Sequence, residues 1–298
     1  MSEMEKNKIS LHSEVTLMSN MKRITTRIIF HVLVCAFGWL MLYPLLWLVS
    51  SSFKEHAYVF VDAHNLIPNP FTWENYARGW AGFARISFAT FFANSFYITI
   101  LSTIGVAVSS SLIAYGFARI KFRGKKFWFV LLMVSMMLPA QVTLVPNFII
   151  HNWIGWVGSF WPLIFPSFLG GPFFVFLIMQ FMKGIPREMD EAAKIDGASV
   201  AGIYFLIVLP LTKPALVTTM LFQFMWSWGD FMGPLIYINN PRMFPVALAL
   251  RNFAEPAGVT DWTAIFAMSV LSLIPLLAIF LFFQRYLVEG ISTTGLKG

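Results

Sequence analysis

The residues able to do chemistry gather in one place. Between Glu188 and Leu211 the chain reads EMDEAAKIDGASVAGIYFLIVLPL, with carboxylates at Glu188, Asp190, Glu191 and Asp196 and a lysine at Lys194. A membrane enzyme needs acid–base or metal-binding groups clustered at one depth, and the sequence shows no such cluster. Cys35 is the only cysteine, which excludes an intrachain disulfide and a cysteine metal cluster. Its apolar surroundings fit a small packed hydrophobe. His31 has no partner at metal-ligand spacing, and His151 is expected in a solvated turn. A P-loop needs G-x-x-x-x-G-K-[ST]; FRGKKF lacks both the upstream glycine and the hydroxyl residue. What the 188–211 stretch offers is a surface. Pro186 suits a first helical turn. Glu188, Asp190 and Glu191 put negative charge at the positive end of a helix. Gly197 can take the left-handed conformation that stops one. A second helix can start at Ser199 and end before Pro210. The small residues Ala192 and Ala193 let another protein approach closely. Two readings of this helix–turn–helix stay open: a docking surface, or an amphipathic helix that only covers a bundle at the membrane interface.

The elements around it are apolar. Of 298 residues, 58% are hydrophobic and only 12% charged, about half the share usual in soluble domains. No Asp, Glu, Lys or Arg occurs in 28–53, 86–118, 127–182 or 262–284. A bilayer core of about 30 Å takes roughly 20 apolar helical residues. The chain therefore reads as an all-α, polytopic membrane protein with six transmembrane helices near 28–51, 88–117, 127–149, 160–182, 212–236 and 262–284. The first is too long for a signal-peptide core and reads as a retained span. Pro139 and Pro146 should kink the third, and the Met133, Met136 and Met137 cluster fits packing. HNWIGWVGS (151–159) is the turn between the third and fourth. With the N-terminus inside, the inner segments hold sixteen Lys and Arg; the outer ones hold five, Lys54, Arg78, Arg85, Arg242 and Arg251. This positive-inside bias accounts for the net charge of +7 without nucleic acid. Two outer segments, near 54–86 and 237–261, are long enough to fold over the surface.

Glu191-Ala192-Ala193, three residues, Gly197, nine residues, then Ile207-Val208-Leu209-Pro210 matches the EAA loop of ABC importer inner-membrane permeases at each defining position. YPLLWLVSSSFK (43–54), PNPFTWENY (68–76), FMWSWGDFMGPLIYI (224–238) and the ending QRYLVEGISTTGLKG resemble the MalG-like, carbohydrate-uptake branch of this binding-protein-dependent family. Gly229 stands where a polar residue is usual, and Thr293–Thr294 where smaller ones are. The resemblance implies a bacterial or archaeal cytoplasmic (inner) membrane subunit with both termini cytoplasmic. Residues 1–27 form the N-terminal segment, 28–284 the transmembrane domain with the EAA loop at 183–211, and 285–298 the tail. It implies half of a sugar pathway, a second and different permease, an ATPase dimer carrying the ATP and Mg, an extracytoplasmic sugar-binding protein and a lipid surround, with no cofactor on this chain and no enzymatic activity of its own. The coupling surface would be Glu188, Asp190, Glu191, Ala192, Ala193, Lys194, Asp196, Gly197 and Pro210.

Sugars bind to aromatic faces, amides and hydroxyls. Asn94, Tyr97, Tyr115, Gln141, Asn147, Gln223, Trp226 and Asp230 are the residues within or beside the spans that could line a path. Each is equally explained by interhelical hydrogen bonds or interfacial position, and Asp230 by capping a broken helix. The tail Gly295–Gly298 could reach the ATPase. The rival reading, a secondary carrier or channel that needs no ATPase, would call for ionisable residues at mid-membrane; the second, third and fourth spans carry none.

Overall fold

The computed structural model describes the backbone of residues 3–253 and 260–295 and the side chains of residues 23–253 and 260–285. The end of the second outer segment (Glu255, Pro256) and the tail residues Leu296, Lys297 and Gly298 lie outside the described residues. The chain forms two compact units, Met1–Thr72 and Trp73–Gly298.

In the first unit, α1 (Glu3–Ser52) is one continuous helix. The polar stretch expected to precede the first span is helical from Glu3, because the first glycine is Gly38 and the first proline Pro44. Its apolar portion runs Arg23–Ser52, and Cys35, expected to be packed, is exposed on it. The chain then folds back. The Lys54 backbone pairs with that of Phe71, the Phe53 and Phe71 rings stack 5.0 Å apart, and the buried Lys54 ammonium donates to the Asp62 carbonyl at 2.6 Å.

The second unit is built on α2 (Phe88–Arg119). After it come α3 (Lys125–Met137), α4 (Ala140–Trp153), α5 (Pro172–Gly184), α6 (Glu188–Ile195), α7 (Lys213–Trp228) and α8 (Trp262–Gly295). α2 packs along α5 and α7, and α7 along α8. Small residues make this close approach possible. Ser95, Thr99, Ser102, Ser110 and Ala114 are fully or almost fully buried on α2, as expected where helices pack without a hydrophobic drive from water. Gly105 is one of them: a Cβ there would come within 2.7 Å of the Phe168 ring.

Four helices are long and apolar enough to cross a membrane, or up to six if each of two bent pairs is one span. The interruptions have identifiable causes. The expected third span breaks at Leu138–Pro139, where α3 and α4 meet at 103°. Proline forces the preceding residue out of the helical region, and Leu138 has ψ 120°. Pro146, by contrast, stays inside α4. The expected fourth span starts as a helix at Trp161–Ile164, tightens to a 3₁₀ turn at Phe165–Leu169, and resumes at Pro172 after Gly170–Gly171. Irregular backbone at membrane depth survives only where its polar groups are satisfied by protein, and the α2 hydroxyls do this. Ser102 Oγ donates to the Leu163 carbonyl at 3.1 Å, Ser109 Oγ to the Ser167 carbonyl at 3.0 Å, and Ser110 Oγ accepts the Gly171 N–H at 3.1 Å. The expected fifth span, 212–236, holds two elements: α7 ends at Trp228, and a short helix Met232–Tyr237 follows Gly229 and Asp230. The sixth runs as helix to Gly295, past the expected end at 284.

Two apolar cores sit at opposite ends of α2. One joins Ile86, Phe88 and Phe91 to Val246, Ala249, Ala267 and Met268. The other joins Ala114, Tyr115 and Phe117 to Val175, Ile178 and Met182 of α5 and to Ala193, Ile203, Tyr204 and Val208. The second core carries the candidate site.

Candidate functional site

The chain between α5 and α7 folds as the local sequence dictates. α6 opens with Glu188, Asp190 and Glu191 in its first turn and has Lys194 in its last, charges that oppose the helix dipole at each end. It stops in a complete Schellman motif: Ala198 N–H donates to the Ala193 carbonyl at 2.9 Å and Gly197 N–H to the Lys194 carbonyl at 3.1 Å. Gly197 has φ +84°, the left-handed conformation expected of it. Ser199 then caps the next turn, its Oγ accepting the Gly202 N–H at 3.1 Å. Pro210 does not end the second helix. A π turn at Tyr204–Val208, closed by the Leu209 N–H on the Tyr204 carbonyl, widens the helix ahead of the proline and absorbs its missing donor. The helix continues to Leu211, and the 74° bend comes at Thr212.

Residues expected to act as one coupling surface divide between two faces of α6. Glu188, Met189, Glu191, Ala192, Lys194 and Ile195 are exposed, Ile195 by 87%, and so are Asp196 and Gly197 beyond its end. Asp190 and Ala193 point the other way and are buried; three residues apart, they share a helical face. Ala193 therefore packs into the bundle and Ala192 faces out, where both were expected to face a partner. Asp190 pairs with Arg119, Nε to Oδ2 3.5 Å, with the Arg119 side chain 3% exposed. Arg119 also donates from Nη2 to the Met182 and Ile185 carbonyls, each at 2.9 Å. Arg187 Nη2 donates to the Ala118 carbonyl at 3.1 Å. Tyr115, weighed as a path residue, is buried and donates its hydroxyl to the Val200 carbonyl at 3.1 Å. Ser111 Oγ and Tyr204 Oη lie 2.8 Å apart. The loop is thus tied along the last turns of α2. Sequence reasoning missed Arg119, although a signal existed: it is the first charge after the uncharged run 86–118.

The path candidates are not brought together. Asn94 Nδ2 donates to the Arg242 and Phe244 carbonyls at 2.8 and 3.1 Å and so anchors the segment expected to lie outside. Asp230 Oδ1 accepts the Gly233 N–H at 3.1 Å, starting the Met232–Tyr237 helix. Its capping role is the one the structure displays. Gln141 and Asn147 are exposed on α4, and Tyr97 is exposed on α2 beside the Phe160 ring. Gln223 is half-buried on α7, and Trp226 packs on Phe173 and Phe174. Two open apolar pockets, of about 170 and 320 Å³, are lined by none of these candidates. His151 is half-buried, stacked on Trp156 with ring centroids 5.7 Å apart, so it is not the solvated histidine expected. Met137, expected to pack, is 81% exposed. Among the described residues no three His, Cys, Asp or Glu side chains could hold a metal.

The family model described as "Binding-protein-dependent transport system inner membrane component" matches residues 107–293. The chain is 31% identical to the arabinooligosaccharides transport system permease protein AraQ of Halalkalibacterium halodurans, over 93% of this chain and 100% of that one. It is 33% identical to the trehalose/maltose transport system permease protein MalG of Thermococcus litoralis, over 86% of this chain and 92% of the other. A crystal structure of a bacterial ABC transporter involved in the import of the acidic polysaccharide alginate shares the fold, with a TM-score of 0.77 at 22% identity, covering 87% of this chain and 95% of that one.

Proposed function

This chain belongs to the family of binding-protein-dependent transport system inner membrane components, the permease subunits of ABC importers, and from that premise we propose that it forms half of the pathway for an oligosaccharide. Relatives named for arabino- and galactooligosaccharides and for trehalose/maltose support the substrate class. In this reading residues 28–284 cross the cytoplasmic membrane six times, with α3 and α4 together the third span and α7 with the short Met232–Tyr237 helix the fifth, and 1–27 and 285–298 lie inside. A second, different permease supplies the other half of the path, and a binding protein delivers the sugar from outside. ATP and Mg act on a separate ATPase dimer.

The observation that carries the mechanism is α6. Its outer face, with Glu188, Met189, Glu191, Ala192 and Ile195, is free to dock in the ATPase, while its inner face is bonded to the bundle. Docking fits this division better than an interfacial cover. A cover would turn its apolar face to the bundle and its charges to water, whereas here Asp190 turns inward and Ile195 outward. ATP favours one state of the ATPase dimer, and the short, doubly anchored helix passes the displacement on. Gln141, Asn147, Tyr97, Gln223 and Trp226 remain the residues with side chains available to a sugar.

The test is uptake of a panel of radiolabelled arabino-, galacto- and malto-oligosaccharides by proteoliposomes holding the complex purified in mild detergent, with its binding protein supplied. Uptake that requires Mg–ATP and the co-purified ATPase is expected. Transport by this chain alone, without ATPase, would instead identify a carrier.

A further inference from the structure

One guanidinium joins three elements at the inner end of the bundle. Arg119 is the last residue of α2, its Nη2 binds the Met182 and Ile185 carbonyls at the end of α5, and its Nε faces Asp190 on α6. The carbonyl bonds use the one side-chain type that offers several donors in a rigid fork. The contact to α6 is incomplete. At 3.5 Å it exceeds a charged hydrogen bond, and Arg119 Nε and Asp190 Oδ1 are both buried without a hydrogen-bond partner. Moving α6 toward α2 by about 0.6–0.8 Å would bring the pair to the 2.7–2.9 Å of a closed bond. Closing the contact would give the buried Nε its missing acceptor, which favours the closed state over the open one. We propose that Arg119, acting through Asp190, is the positioning residue that carries displacement of α6 into α2 and α5, and that this joint closes when the ATPase dimer closes.

This inference rests on the coupling reading above. It takes Asp190 out of the docking surface and gives it a role inside the bundle. The neighbouring ties, Arg187 to Ala118 and Tyr115 to Val200, hold the loop near α2 but contain no pair of opposite charges. They position the loop without making its position depend on a closing contact.

The experiment compares the full complex carrying wild-type chain, Arg119→Met/Asp190→Leu, or Asp190→Asn. The double variant replaces the ion pair with apolar side chains of similar size, which folded proteins commonly tolerate. Asp190→Asn keeps shape and an acceptor oxygen but removes the charge. ATP hydrolysed per sugar taken up is measured in proteoliposomes with the same oligosaccharide panel, alongside recovery of the ATPase with each variant. With ATPase recovery unchanged, the ratio should rise about 10-fold or more in the double variant and about 5-fold in Asp190→Asn. If the double variant does not assemble, Asp190→Asn decides alone. A wild-type ratio in an assembled variant overturns the role of the joint and leaves the transport reading intact. A wild-type complex that takes up none of the panel with ATP overturns both.

Discussion

Replacing Gly197 separates backbone geometry from side-chain contact in the proposed coupling loop. Nothing lies within 4 Å of where its Cβ would be, so a methyl group meets no neighbour. The cost of Gly197→Ala is then the cost of holding φ at +84° with a Cβ, about 1–2 kcal/mol. That lowers the population of the native turn about 5–30-fold relative to its alternatives. Gly197→Asn should cost less, since asparagine visits this region more readily. Gly197→Pro fixes φ near −65° and also removes the N–H that bonds the Lys194 carbonyl at 3.1 Å, a further ~0.5–1.5 kcal/mol. ATP-driven uptake should therefore fall in the order Gly, Asn, Ala, Pro, with the proline variant still inserted in the membrane and its ATP hydrolysis uncoupled. Uptake equal to wild type in Gly197→Pro would refute the claim that the turn positions α6. Loss of uptake in Ala and Asn to the same extent would show that an external partner reads the bare glycine surface instead.

Glu191→Lys reverses a charge on the outer face of α6 and in its first turn, where the dipole term is only about 0.3–1 kcal/mol; ATPase recovery in pull-down should fall while the subunit stays in the membrane, and normal uptake would reject a docking role for this face. Gly105→Val forces the Phe168 ring away from α2 and should cost about 1–3 kcal/mol, read as a lower thermal midpoint in detergent. Ser111→Ala leaves the Tyr204 hydroxyl buried and unpaired, at about 1–3 kcal/mol, whereas after Tyr204→Phe Ser111 Oγ keeps its bond to the Val108 carbonyl at 2.9 Å and the cost should be smaller; the double variant should cost less than the two together, and additivity would show that the 2.8 Å contact contributes nothing.

The local code of the 188–211 loop was legible because it is written in backbone chemistry. Gly197, Ser199 and the acidic first turn of α6 each act within a few residues, and the structure places each where those rules require. Which face of α6 points inward was not legible. Glu188, Asp190, Glu191, Ala192 and Ala193 look alike as a string, and only the position of Arg119, far away in sequence, selects Asp190 as the inward carboxylate. The interruptions divide in the same way. Pro139 announced a break, though not one of 103°. The 165–171 interruption depends on hydroxyls of α2 that take up its polar groups, and serines in an apolar run say nothing by themselves about what they bond. His151 was misread because the aromatic rings that half-bury it include Tyr237, which the chain reaches only much later.

α2 contains no proline and runs unbroken from Phe88 to Arg119, with one apolar core gripping each end. At 1.5 Å per residue it is a rod of about 48 Å. Held near one core, such a rod works as a lever: a tilt of about 5° swings its far end by roughly 4 Å over that length, more than the width of a water molecule. A sub-ångström adjustment at the Arg119 end need not be amplified by any soft element on the way. The arm is already long enough to turn a small rotation at its Arg119 end into a displacement of several ångströms at its Phe88 end.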